Sequence, residues 1–275
     1  METITIAHSP DSDDAFMFYA LATDKIETGD LEFVHHLEDI ESLNKAALNG
    51  KYEVTAVSIH AYAYLHDKYC LLNSGASMGE GYGPILVAKT AFDLGDLPDK
   101  RVGIPGTKTS AFLALKLFQE NFEHVAMQFD QILPAVESGE IDVGLVIHEG
   151  QLSYREQGLM KLLDLGVWWK EETGLPLPLG GNIVRRDLGP DKIARISKLL
   201  SKSIDYALSH RQEVLEYALQ FGRGLDPEQG DRFVSMYVNE RTRDYGEEGR
   251  KAVQMLLDRG HEAGVIPHRL EVEFV

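Results

Sequence analysis

The chain has 275 residues and a formal charge of −17, from 27 Lys and Arg against 44 Asp and Glu. That balance argues against nucleic acid or an anionic membrane as the main partner, while leaving room for a local basic pocket. Hydrophobic content of 44% and aromatic content of 9% mark a globular chain long enough for one large domain or two smaller ones, and the lone Cys70 excludes an intramolecular disulfide or a cysteine-based zinc site.

The N-terminal METITIAHSPDSDD has no basic region followed by an apolar one, and no apolar run reaches the roughly 18–20 residues that span a bilayer. The expectation is a cytoplasmic protein with no membrane span. Thr3 to Ala7 reads as a first strand, and the polar cluster after it caps a helix starting near Asp13 or Asp14. A helix start after a parallel strand offers free N–H groups to an anion, but Asp11, Asp13 and Asp14 compete with one. Ser9 and Asp14 are the first-unit candidates for ligand contact, against the plainer reading of capping residues.

Leu31 to Leu37 alternates like a strand, Ile40 to Leu48 has helical spacing, and Tyr52 to Ser58 is a further strand. An aromatic helix, IHAYAYLHDKY, is expected next, with Ser58 as its N-cap or, at a strand end, a ligand contact. Gly75, Gly79, Gly81 and Gly83 then precede the strand Ile85 to Ala88. They permit close backbone approach, with Gly83 the candidate, but match neither a dinucleotide fingerprint nor a P-loop.

A new unit is expected from Lys89. VGIPG leads to Thr107-Lys108-Thr109-Ser110 before AFLALKLF, which suits a helix start binding a carboxylate or phosphate through Thr109, Ser110 and Lys108; an ordinary cap with a solvated lysine is the alternative. Glu123 to Phe129 reads as a strand, and Gln131 to Glu137 as a helix. Ile141 to Ile147 is a β-branched apolar run, as in a strand buried on both faces, and His148 and Glu149 follow where ligands sit in open α/β sheets. A histidine there suits a general base; a capping or core histidine is the plainer reading.

Leu159 to Leu165 is expected as a strand, and Trp168 as one flat wall for a ring-shaped ligand or simply core. Pro176, Pro178, Gly180 and Gly181 make the clearest linker-like segment, and from Pro190 onward the pattern is helical. Crossings near 87–90 and 178–182 divide the chain into a discontinuous first lobe (1–88 and 181–275) and a second lobe (89–180). That is an α/β, bilobal binding-protein layout, with Ser9, Ser58, Thr109, Ser110 and His148 converging on the cleft.

The segments SPDSDDAFMFYAL, SIHAYA, SGASMGEGYGPILVA, IPGTKTSAF, ILPAVESGEIDVGLVIHEG and DLGVWWKEETGLPLPLGGNIVRRDLG resemble the periplasmic-binding-protein-like enzymes of the futalosine route to menaquinone. The resemblance spans nearly the whole chain and lies on the side of the 1,4-dihydroxy-6-naphthoate synthases rather than the chorismate dehydratases. It implies a type II binding-protein fold of two lobes with mixed sheets, and a lyase acting on cyclic dehypoxanthine futalosine, a small carboxylate-bearing substrate, with no metal or organic cofactor. It also implies that His148 is the base and that Thr109, Ser110 and Ser58 match family positions. One departure stands out: the family's SPCPNDTF reads Ser9-Pro10-Asp11-Ser12-Asp13-Asp14-Ala15-Phe16 here. The alternatives are a non-catalytic solute-binding protein for a small carboxylate and the sister dehydratase. A zinc enzyme is disfavoured because the ten histidines show no metal-ligand spacing and His35-His36 is an adjacent pair that a strand points to opposite faces. Monomer and homodimer are both open.

Overall fold

The computed structural model describes residues 1–222 and 226–275. In chain order come β1 (Glu2–His8), α1 (Ser12–Ala22), β2 (Leu31–Leu37), α2 (Ile40–Leu48), β3 (Val54–Ser58), the single turn α3 (Ile59–Tyr62), β4 (Tyr69–Leu71) and β5 (Ser77–Gly79). Then follow β6 (Ile85–Ala88), β7 (Arg101–Ile104), α4 (Ser110–Phe118), β8 (Glu123–Ala126), α5 (Ile132–Ser138), β9 (Val143–Val146), the short α6 (Gly150–Ser153), β10 (Met160–Asp164) and α7 (Leu165–Thr173). The chain closes with β11 (Leu177–Arg185), α8 (Pro190–Ser209), α9 (Arg211–Ala218), α10 (Pro227–Tyr237), α11 (Glu240–Arg243) and α12 (Gly246–Glu262).

The strands form two mixed sheets. The first is six-stranded, ordered β2-β1-β3-β11-β4 with β5 also on β11; the second is five-stranded, ordered β10-β6-β9-β7-β8. The run expected as a doubly buried strand is β9, held between β6 and β7 with all its residues buried. Both sheets feed helices from parallel strand ends, β1 into α1 and β7 into α4, so both present helix N-termini toward one another across a cleft. The lobes also share a core. Ile59 and Ala61 of α3, Leu113 and Leu115 of α4, and Val253 and Leu256 of α12 belong to one continuous apolar cluster.

Three expectations are corrected. Ile85 to Ala88 pairs antiparallel with β9, not with the first sheet, so the chain crosses at 80–84 rather than after Ala88. Of the linker-like segment, Pro178, Gly180 and Gly181 instead belong to β11, which pairs with β3 and β4 in the first sheet, so the return crossing lies at 174–176. Proline is tolerated there because Pro178 sits at a register break opposite β5. Glycine is required at Gly181, where a Cβ would come within 2.3 Å of the Tyr245 hydroxyl. The aromatic helix expected after Ser58 is a single turn, Ile59–Tyr62, followed by successive turns through 63–68 before Tyr69 to Leu71 pairs with β11.

Candidate active site

The cleft is a partly open cavity lined by residues of both lobes. His148 stands at its centre. The β9 strand ends at Val146, and His148 takes φ +57°, a left-handed conformation that non-glycine residues seldom adopt. This turn swings the ring out of line with the strand. The ring is held by Asp11 Oδ2, 2.8 Å from Nδ1, and by an edge-on contact with Phe129 at 4.8 Å. The His148–Asp11 pair crosses the cleft, since Asp11 precedes α1 in the first lobe. Both side chains are largely sheltered, at 17% and 2% exposure.

Burial alone would pull the His148 pKa down, but the Asp11 charge and hydrogen bond, with the charges of Glu149 and Asp13, raise it to about 9. At neutral pH the ligand-free ring is therefore an imidazolium. The first-lobe acids go the opposite way from ordinary carboxylates. Burial pushes Asp14 up to about 7, partly offset by the Ser9 N–H that donates to Asp14 Oδ2 at 2.7 Å. Burial and the charges of Asp14 and Asp11 hold Asp13 well above the carboxylate range. The turn is tied further by the Ser9 hydroxyl, which donates to Asp11 Oδ2.

The opposite wall is built on α4. Thr109 caps it, its hydroxyl accepting from Phe112 N at 3.2 Å and donating to the Gly106 carbonyl at 2.9 Å. The Ser110 hydroxyl donates to the Leu179 carbonyl at 2.6 Å and accepts from His60 N at 3.2 Å. Both hydroxyl protons are thus committed, and what α4 offers an anion is its first backbone N–H groups, at Ser110 and Ala111. Ser58 differs. Its Oγ accepts from Asn44 Nδ2 at 3.1 Å and its N–H donates to Asn44 Oδ1 at 2.9 Å, leaving the hydroxyl proton for a ligand.

A profile of a family described as "Menaquinone biosynthesis" matches residues 4–262. The chain is 41% identical to a 1,4-dihydroxy-6-naphthoate synthase of Thermus thermophilus over 266 residues, 96% of each chain. It belongs to the menaquinone-biosynthesis family. A crystal structure from Archaeoglobus fulgidus is 48% identical, with a TM-score of 0.92 over 96% of this chain and 98% of that one. The alkanesulfonate-binding protein of Xanthomonas axonopodis pv. citri, bound to MOPS, superposes with a TM-score of 0.71 at 12% identity over 99% of this chain and 96% of that one, which shows the periplasmic-binding-protein fold alone. The role of this family member is in menaquinone biosynthesis, and its curated relative is an enzyme.

In this member of the menaquinone-biosynthesis family, six of the sequence candidates line one cavity: Ser9, Asp14, Ser58, Thr109, Ser110 and His148. Three do not. Gly83 lies at the crossing, where a Cβ would come within 2.9 Å of Gly166 N; its smallness serves the packing of that turn against α7. Trp168 packs edge-on against Phe118 at 5.5 Å on the far side of α7. Lys108 turns outward over the Tyr64 ring, 3.6 Å from its centroid. Sequence reasoning missed Asp11 as the partner of His148, and it missed Gln151, Phe233 and Tyr237, which line the cavity from α6 and α10. The Tyr237 hydroxyl donates to Gln151 Oε1 at 2.9 Å, a further tie between the lobes. Nothing local marks Tyr237, because its place over the cleft depends on a helix far along the chain. Asp11 did carry a signal, as one of the carboxylates that depart from the family pattern. Among the described residues no group of three or more His, Cys, Asp or Glu side chains is placed to hold a metal ion, and no helix is long and apolar enough to cross a membrane.

Proposed function

We propose that the chain converts cyclic dehypoxanthine futalosine to 1,4-dihydroxy-6-naphthoate and a sugar-derived fragment, acting in the cytoplasm without a metal or organic cofactor, with His148 as general base. The observation that carries this is the cleft geometry of His148. Its Nδ1 is held by Asp11, so the proton from the substrate goes to Nε2. Neutral His148 takes a proton from carbon next to a carbonyl. The C–H electron pair becomes a new double bond, and a carbon–oxygen bond breaks with its pair leaving on oxygen. Aromatisation to the diol supplies driving force, so orientation and deprotonation are what the protein must provide. The Ser110 and Ala111 N–H groups at the start of α4 hold the substrate carboxylate, and the Ser58 hydroxyl donates to a second oxygen.

The raised pKa of His148 fits a strong base that must first lose a proton. With a value of about 9, roughly one ring in a hundred is neutral at pH 7. Turnover is therefore expected to climb with pH up to about 9. The test is incubation of the purified protein with cyclic dehypoxanthine futalosine, without added metal, and detection of 1,4-dihydroxy-6-naphthoate. Product that vanishes in His148→Asn supports the reading; bound substrate with no product in the wild type favours a binding protein instead.

A further inference from the structure

We infer that His8 and His35 form a neutral, hydrogen-bonded pair that fixes the Ser9 peptide and through it seats Asp11 against His148, which makes His8 a positioning residue for the base. The inference rests on His148 being that base, and it starts from histidines outside the cavity. Ile6 of β1 pairs with His35 of β2, so His8 and His35 lie diagonally on one face of the sheet. His8 is 5% exposed and stacks on Phe18 of α1 at 4.4 Å.

Two contacts and one unpartnered nitrogen determine where the protons sit. His8 Nδ1 is 3.0 Å from the Ser9 carbonyl, and a carbonyl only accepts, so Nδ1 carries the hydrogen. His8 Nε2 is 3.1 Å from His35 Nδ1. In a neutral His8 ring Nε2 is then an acceptor, and His35 Nδ1 must donate. His35 is left with a bare Nε2, which is buried and has no hydrogen-bond partner. The direction of every bond in the chain His35 to His8 to Ser9 is thereby set, with both rings uncharged. Burial drives both rings the same way: the His8 pKa falls to about 3, with the neighbouring His35 charge acting in the same sense, and the His35 pKa falls to about 4.

Ser9 is the next link. His8 anchors its carbonyl, in the Ser9–Pro10 peptide; its N–H, in the preceding His8–Ser9 peptide, donates to Asp14, and its hydroxyl donates to the same Asp11 oxygen that holds His148 Nδ1. A shift of the Ser9 backbone therefore moves Asp11 and Asp14, two of the carboxyl groups around the imidazole. The groups facing His148 are Asp11, Asp13 and Asp14 from the α1 end and Glu149 from its own turn; those facing His8 are His35 and Asp11. Of these, Asp11 is the one bonded to His148 and also tied to the Ser9 hydroxyl.

The experiment uses the full chain and needs no substrate for its first arm. In wild-type protein with 15N-labelled imidazoles, NMR at pH 7 is expected to show His8 and His35 neutral and both protonated at Nδ1. A His8 ring protonated at Nε2, or charged, overturns the inference. The second arm compares His8→Asn, whose amide reproduces the Nδ1 donor, with His8→Gln, whose amide reaches the Nε2 position instead. His8→Asn is expected to keep the His148 titration within a few tenths of a pH unit of wild type. His8→Gln is expected to lower it by about one unit and to move the rising limb of the kcat–pH profile down by the same amount, with KM within twofold. Equal His148 titrations in the two folded variants reduce the pair to packing and overturn the inference. Should the wild type fail to turn over cyclic dehypoxanthine futalosine, the base reading falls, while the tautomers and the His148 titrations still decide whether the pair seats Asp11.

Discussion

On one side of the cleft a second-lobe imidazole, His148, meets a first-lobe carboxylate, Asp11, at 2.8 Å. On the other side a first-lobe imidazole, His60, meets a second-lobe carbonyl, that of Thr109, at 3.2 Å. Both rings are sheltered and both bridge the lobes, yet His148 rises to about 9 whereas His60 falls to about 4. Burial lowers both. The charges of Asp11, Glu149 and Asp13, with the Asp11 hydrogen bond, overcome it at His148, whereas the Thr109 carbonyl near His60 does not, and the Lys108 charge adds to the fall. The partner, not the depth, decides the charge. His60 thus joins the lobes as a neutral core residue outside the cavity, and His148 joins them as a titrating group inside it.

The largest effect expected from this contrast is loss of turnover in His148→Asn, by about 10²–10⁴-fold in kcat. Asparagine tolerates the left-handed backbone at this position and keeps a donor for Asp11, so circular dichroism and ligand binding should stay near wild type. A variant with more than a tenth of wild-type kcat would remove His148 from the chemistry. On the His60 side, Thr109→Ala removes the cap of α4 and should cost about 1 kcal/mol, a fall of about 2–4 °C in Tm for a chain of this size. Thermal melts followed by circular dichroism measure it.

The contrast also sets how stability responds to pH. The raised pKa of His148 gives stability that is full below 6.5 and lost as pH rises through about 9. Asp14, raised to about 7, favours folding below its ordinary pKa and loses that contribution as pH climbs through about 7. Tm should therefore decline from pH 6 to about 9, and His148→Asn should flatten the part between pH 6.5 and 9; parallel curves would argue against the ion pair. The smallest effect belongs to Trp168→Ala. Its ring lies against Phe118 outside the cavity, so substrate KM should stay within twofold while some stability is lost.

Much of the architecture was legible in local pattern. The run from Ile141 to Ile147 predicted a central strand, and its polar follow-on placed His148 at the cleft. The helix start at Thr109 was legible from capping chemistry, whereas the first helix starts at Ser12 after an Asp11 that makes no side-chain cap. What misled was context. Proline and glycine around Pro178 look like a linker, but the strand tolerates them because β5 breaks register there and Tyr245 needs the space over Gly181. Ile85 to Ala88 reads as the end of one lobe because sequence proximity to β5 says nothing about which sheet supplies the partner. The SPDSDD acids were read one by one as caps or competitors of an anion. Their meaning came from His148, 137 positions away from Asp11, and no local rule links the two.

The most direct test of the account is the pH dependence of kcat/KM on cyclic dehypoxanthine futalosine for wild type and Asp11→Asn. The free-enzyme base sets the rising limb of that profile. The wild-type limb is expected near pH 9, and removing the Asp11 charge should move it lower, toward the ordinary histidine value, because Asp11 makes the largest of the contributions that raise the ring. The same limb in both proteins, or a profile flat from pH 6 to 10, would contradict the central claim that Asp11 tunes His148 as the base.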